Sequence, residues 1–410
     1  MLTDVDAQTV VVAGAEFGWG SSGKLGAILS ALRKRSPWPL RFVGLASGLG
    51  RPVLSEHGID RWYDLPNTDD DDLPGAVAAI TRSERAGAAV VVLDGVVAKA
   101  LEASGVPTVF VDSLPFMWSR GDLAALPLDA TVYCAQKCVE LPPECLDVLA
   151  SVRTLRWVEA VVGTPPVAAR GATATTTAEA ARPYRTALVT LGGLRSPSLA
   201  DWTSYPRIVV PAVLEALAAF GIHEAHVAGN LPADLAGQLV DASITPPRVT
   251  TGALSHGEFL DRVAGCDVLL TSPGLTTLLE AGDLRVPTIC LPPQNLSQIF
   301  NGRFHTHAIG APTRVTWPKG VFTEEEALSL RSRGEDHALA LIYAGIATAA
   351  ADADGRATGV ALRDDILTAL RRAAEGGIDW GALTATLGVD GAAQVADSLL
   401  AILPSTRPAA

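Results

Sequence analysis

Ser272, Gly274, Thr276 and Glu280 are the residues whose types and spacing come closest to a built chemical site. They lie in CDVLLTSPGLTTLLEAGDLRVPTICLPPQNLSQIFN, residues 266–301. The apolar run 267–271 predicts a buried parallel strand. Ser272 reads as a helix N-cap and Pro273 as the first helical residue, so a helix is expected to begin near Pro273. Gly274 has no Cβ and lets a ligand approach the backbone closely. The first amides of a helix lack intrahelical partners and sit at the positive end of its dipole. The spacing therefore predicts an anion site, and a diphosphate fits it. Thr276 and Thr277 add hydroxyl donors in the first turn. Glu280, one turn beyond Thr276, can accept hydrogen bonds from a vicinal diol such as a ribose.

Other candidates surround this segment. LGGLRS, residues 191–196, follows the predicted strand 187–191. Its glycines, Gly192 and Gly193, let a loop approach a phosphate, and Arg195 can neutralise one. GAEFGWGSSGK, residues 14–24, follows the predicted strand 9–14. It is not a P-loop, because Leu25 rather than Ser or Thr follows Lys24, and its spacing is no dinucleotide fingerprint. Glu16, Phe17, Trp19, Ser21, Ser22 and Lys24 are its ligand-facing candidates. Glu16 could act as a base, and Trp19 could stack on a flat molecule; Phe17 and Trp19 could equally just pack the loop. SGLGR, residues 47–51, is a further glycine loop. Asp112 ends a predicted strand ahead of SLPFMW and could serve as acid, base partner or helix cap. None of the histidines falls in the first-strand loop, and His223 and His226, flanking a strand, read as surface residues. Asp69–Asp72 reads as a solvated turn. The five cysteines are odd in number and sparse, as free thiols of a reducing compartment are. Cys134, Cys138 and Cys145 lack the second pair or nearby histidine a zinc site needs, so no metal is expected.

These residues require an α/β scaffold. A chain of 410 residues is too long for one hydrophobic core, so two domains are expected. Strands 9–14, 40–45, 89–94, 105–111 and 131–133 alternate with a helix at 25–33 and further helical stretches, which predicts a parallel sheet. Residues 163–182 lack periodicity and read as a link. The pattern then restarts: strands 187–191, 225–228, 249–251, 267–271 and 288–291, with helices 209–220, 258–264 and 275–282 between them. Helices at 362–374 and 392–403 close the chain. The expected domains are 1–165, a linker 166–184, 185–355, and C-terminal helices 356–410, which in such folds often cross back to the first domain. Hydrophobic residues at 48% and charged ones at 19% exclude disorder, and a net charge of −12 argues against a nucleic-acid partner. The acidic N-terminus does not resemble a signal peptide and no apolar run is long enough to span a bilayer, so a cytoplasmic location is expected.

The string SPGLTTLLEAGDLRVPTICLPPQNLSQIFN resembles the donor-site signature of GT-B glycosyltransferases that use UDP-sugars. That resemblance implies two Rossmann-like domains with parallel sheets facing a central cleft, the acceptor bound by the first and the donor by the second. It implies that Gly274, Leu275 and Thr276 cradle the diphosphate and that Glu280 holds the ribose. Gln298 matches the glutamine that touches the sugar hydroxyls, and Asn301 the trailing asparagine. Two residues depart from the pattern: Arg285 stands where a glycine is usual, and Ser297 replaces the acid before the glutamine. GAEFGWGSSGKLGAI, ASGLGRPVL and VDSLPFMWS further resemble the cytosylglucuronate and hydroxymethylcytosylglucuronate synthases of nucleoside-antibiotic pathways. This implies UDP-glucuronate as co-substrate, no separate cofactor, and cytosine or a derivative as the small planar acceptor. Trp19 or Trp118 would stack on the base, Glu16 or Asp112 would take its proton, and Lys24, Arg51, Arg195 or Arg303 would meet the glucuronate carboxylate. Transfer to another acceptor, epimerisation of a UDP-sugar, simple sugar-nucleotide binding and nicotinamide-dependent redox chemistry are the competing expectations. A homodimer is left open.

Overall fold

The computed structural model describes residues 7–45, 50–66, 72–163, 184–194, 199, 201–241, 247–351 and 354–403. Arg195, most of the 166–184 link, residues 47–49 of the second glycine loop and Asp69–Asp71 lie outside the described residues. The chain divides into two compact units, Met1–Gly163 with Leu387–Ala410, and Thr164–Thr386.

The first unit is built on seven parallel strands: β1 (Gln8–Gly14), β2 (Leu40–Leu45), β3 (Arg61–Tyr63), β4 (Ala88–Val92), β5 (Thr108–Asp112), β6 (Val132–Gln136) and β7 (Leu155–Val158). Their order is β3-β2-β1-β4-β5-β6-β7. The central strands are apolar throughout because both faces are covered, as a parallel sheet requires. Val10, Val12, Val90, Val92, Val109 and Val111 pack toward Ile28 and Leu32 of the Gly20–Arg35 helix and toward Val395 and Leu399 of the Gly391–Ile402 helix. The alternate residues, Val11, Val43, Val91 and Phe110, meet Val77 and Leu101 of the helices Leu73–Glu84 and Gly95–Ala103. The terminal helix at 391–402 thus belongs to the core of the first unit.

Two differences from the sequence pattern matter here. The first helix starts at Gly20, not near Leu25. Ser21, Ser22 and Lys24 are therefore helical and buried, and the loop itself is only Ala15–Trp19. Strands β3 and β7 escape the pattern because they are short edge strands with exposed positions that break alternation.

The second unit has five parallel strands: β8 (Thr186–Thr190), β9 (Glu224–Ala228), β10 (Arg248–Gly252), β11 (Val268–Thr271) and β12 (Thr288–Cys290), in the order β10-β9-β8-β11-β12. Leu188, Ala228 and Leu269 pack with Val263 of the His256–Gly265 helix and with Ala281 and Leu284. The helices Ser204–Phe220 and Asp354–Ala374 pack against each other. His226 is in the interior of β9 and only 8% exposed, its Nδ1 2.8 Å from Thr250 Oγ1. This corrects its reading as a surface residue; a histidine in a strand flanked by Ala and Val points with the buried alternate set.

Candidate functional site

Open parallel sheets bind ligands beyond the carboxyl ends of their strands, where strand order reverses. In the second unit that point lies between β8, which is followed outward by β9 and β10, and β11, which is followed by β12. The two loops that leave these strands are Leu191–Leu194 and Ser272–Gly274. They are side by side, for Ser272 N donates to Thr190 O at 2.9 Å. Gly192 has φ +69°, a conformation that favours glycine. The neighbouring Gly193 is half-buried, and Leu194 N donates to Asn230 Oδ1 at 2.8 Å.

The helix after β11 runs Leu275–Asp283, and its N-cap is Gly274 rather than Ser272. No side chain caps it. The Ser272 hydroxyl is turned to other partners: Tyr205 Oη is 2.9 Å away and Gln294 Nε2 donates to it at 2.8 Å. Tyr205 also donates to Pro292 O at 2.9 Å. An amide nitrogen only donates and a carbonyl only accepts, so the protons run one way, from Gln294 to Ser272 to Tyr205 to Pro292. Asn301 secures the same turn, its Nδ2 donating to Pro273 O at 3.0 Å.

Gly274 has no structural need to be glycine. Its φ of −71° and ψ of 131° suit any residue. A Cβ there would sit 3.9 Å from Ser272 O and 4.0 Å from Thr277 Oγ1, ordinary contacts. Gly282 in the same helix differs, since a Cβ would come 2.3 Å from Thr384 Oγ1. Ser, Thr, Asp or Asn at position 274 would cap the helix. What glycine alone supplies there is backbone open to the close approach of a ligand.

Leu275 and Thr276 follow in the first turn, both largely buried. Glu280 points into the interior, 2% exposed, and its Oε1 is 2.7 Å from His256 Nε2. With Glu280 ionised, Nε2–H is the donor. His256 opens its helix just after the Ser255 cap, which forms a capping box with Glu258. Sequence pattern alone did not single out His256, because 24 residues separate it from Glu280. Gln298 lies in the first turn of the Leu296–Ile309 helix, where its Oε1 accepts from Gln294 N at 2.8 Å. Ser297, where the resemblance has an acid, donates instead to the cap residue Asn295 at 2.9 Å. Arg285, where it has a glycine, adopts a left-handed φ of +54° and pairs with Asp379 at 2.9 Å.

In the first unit strand order reverses between β1 and β4. The Ala15–Trp19 loop leaves β1 there, with Glu16, Phe17 and Trp19 half-buried. Across from it Leu93, at the end of β4, holds a left-handed φ of +61°, a strained state for leucine. Next to it Asp94 caps the Gly95–Ala103 helix through Val97 N at 3.0 Å. Burial, and then the neighbouring Glu16 charge, hold the Asp94 carboxyl above its ordinary value. The structure thus brings Glu16 beside an acid.

Asp112 and Trp118 are brought together by a direct hydrogen bond. Trp118 Nε1 donates to Asp112 Oδ2 at 2.7 Å, Tyr133 Oη to the same oxygen at 2.8 Å, and Leu114 N to Oδ1 at 3.0 Å. Asp112 is fully buried, and that burial pushes its pKa up to about 6 against the pull of these three donors. Of the cations expected to meet a carboxylate, Arg51 pairs with Asp64 and stacks on Trp62, and Arg303 binds Glu324 and Glu325 at 2.7 and 3.0 Å. Lys24 is 1% exposed within its helix.

No protein-family model matches this chain and no curated protein matches it in sequence. Solved structures do match. The MnaA–UDP structure from S. aureus is similar over 82% of this chain and 90% of its own, at 11% identity and a TM-score of 0.51. A UDP-glucosyltransferase from Polygonum tinctorium, capable of glucosylating indoxyl and solved with 3,4-dichloroaniline, is similar over 98% and 100%, at 14% identity and 0.51. The fold is GT-B: two Rossmann-like units, each on a parallel sheet. Among the described residues no helix is long and apolar enough to cross a membrane.

Proposed function

We propose that this chain is a UDP-sugar-dependent glycosyltransferase whose donor nucleotide binds at the reversal point of the second sheet. The observation that carries this is Gly274, a glycine that neither backbone angle nor packing demands, heading an uncapped helix beside a second glycine turn. The diphosphate lies against the Gly274–Thr276 backbone and the Gly192–Gly193 turn. Glu280 takes the ribose hydroxyls, oriented by His256, and Gln298 reaches the sugar. A UDP complex among the similar folds supports this reading.

The narrower proposal follows the loop strings that resemble cytosylglucuronate synthases: glucuronate passes from UDP-glucuronate to N1 of cytosine or hydroxymethylcytosine. The N1–C1 bond forms while the bond from C1 to the phosphate oxygen breaks, and UDP leaves with that electron pair. The positive end of the dipole of the helix that begins at Leu275 stabilises the charge developing on UDP, so no metal is invoked. The N1 proton passes to Glu16. Asp112, already bound by three donors, serves to hold the Trp118 loop. Phe17 and Trp19 present the flat acceptor with an aromatic surface. Arg195, three residues after the Gly192 turn in sequence, is the cation we assign to the glucuronate carboxylate.

The test is UDP release from UDP-glucuronate with and without cytosine. Release that requires cytosine supports the narrow proposal, and release with another small acceptor supports only the broad one. A donor altered without any acceptor marks an epimerase, and UDP binding without turnover marks a binding module. A protein that binds no UDP removes the proposal.

A further inference from the structure

Resting on that donor-site reading, we infer that Gln294 is the positioning residue of the site: its buried side-chain amide ties together the two phosphate loops, and its backbone N–H holds the sugar-facing glutamine. Gln294 lies in the loop after β12, 4% exposed. Its Nε2 donates to Ser272 Oγ at 2.8 Å and to Leu191 O at 3.4 Å. Ser272 is two residues before the Gly274 cap, and Leu191 precedes the Gly192–Gly193 turn. Its Oε1 accepts from Tyr343 Oη at 3.1 Å, which anchors the amide to the Glu335–Ala351 helix. Its backbone N donates to Gln298 Oε1 at 2.8 Å, which fixes that side chain.

Each of these bonds has a fixed direction, and the amide is used at both ends. Both Nε2 hydrogens go to loops that leave different strands, and the oxygen goes to a third element. Buried polar networks of this kind are rigid when every member is satisfied and unstable when one is removed. Over their described residues, 191–194 and 272–274, the loops carry backbone groups, not charged side chains, toward the proposed phosphates. Their grip on a diphosphate therefore depends on how well they are held apart and aligned. Gln294 acts through the loops it holds.

The test replaces Gln294 with Met, which keeps length and bulk but none of the side-chain hydrogen bonds, while the backbone bond to Gln298 stays. Uridine and UDP affinities are measured by calorimetry, and amide exchange is followed at residues 191–194 and 272–277. The expected result is UDP binding weakened by about tenfold to a hundredfold, as lost buried hydrogen bonds imply. Uridine affinity stays within about twofold, because only the phosphate contacts depend on the loops. Exchange quickens in those two segments, and Tyr343→Phe gives the same pattern more weakly. UDP and uridine losses of equal size, or wild-type UDP affinity in the Met variant, overturn the inference. If the wild-type protein binds no UDP, the donor-site reading fails, and exchange still decides the structural part. Faster exchange confined to the two loops keeps Gln294 as their tie, and unchanged exchange removes it.

Discussion

Replacing Gly274 with Ser separates a ligand-driven glycine from a structural one. The backbone at 274 is already in the extended conformation that N-cap residues adopt, with φ −71° and ψ 131°. A Cβ meets its nearest neighbours at 3.9 and 4.0 Å, so no steric cost arises. The new hydroxyl can accept from the amide of Thr276 or Thr277, and Ser caps a helix better than Gly by a few tenths of a kcal/mol. Stability should therefore stay level or rise by about 0.5 kcal/mol at most. The same hydroxyl occupies the space and the amide that a phosphate oxygen needs. Losing one charge-assisted hydrogen bond, worth about 1.5–3 kcal/mol, weakens UDP by about tenfold to about 150-fold. Denaturant unfolding gives the first quantity and titration calorimetry the second. Gly274→Ala, with the Cβ but no hydroxyl, should lose UDP affinity without the stability gain. The reasoning is refuted if the Ser variant binds UDP as wild type does, or if it loses more than about 1 kcal/mol of stability, the scale of a genuine backbone requirement for glycine.

Other perturbations test the rest of the picture. Asp112→Asn should flatten a pH slope: the folded carboxyl titrates near 6 against an ordinary 3.8, so the wild type loses about 2 kcal/mol relative to the variant as pH rises from 4 to 6, and only a few tenths more above that. Unfolding curves of both proteins across pH 4–8 show it, and parallel curves contradict it. Glu280→Gln should weaken UDP by about tenfold or more, and His256→Leu by somewhat less, while neither changes binding of 2′,3′-dideoxy-UDP, which lacks the diol; calorimetry with both nucleotides decides. Arg285→Gly should leave stability within about 1 kcal/mol, because relief of the left-handed φ offsets an exposed ion pair, whereas Arg285→Val should lower the melting temperature.

Much of the fold could be read from apolar runs, and the reason is physical. Strands such as Val10–Ala13, Val90–Val92 and Leu188–Val189 are covered on both faces, so burial writes itself into consecutive residues. The edge strands β3 and β7 carry exposed positions and left no such run. The start of the first helix was also misplaced, since Gly20, Ser21, Ser22 and Gly23 look like a loop by composition. Tertiary burial of that turn overrides propensity.

The site divides along the same line. Gly274, Thr276 and Glu280 fall within one helical turn or two, so local spacing exposes them. The residues that hold them do not. Tyr205, His256, Gln294 and Tyr343 reach Ser272, Glu280 and one another across 22 to 67 residues of sequence. No local period encodes such a meeting; it exists only once β8, β11 and β12 are paired. Ser272 shows the consequence. By spacing it is an N-cap, yet in the fold its hydroxyl meets Tyr205 and Gln294 and the cap falls at Gly274. No side chain caps that helix end, and an uncapped helix end beside a glycine turn suits an anion.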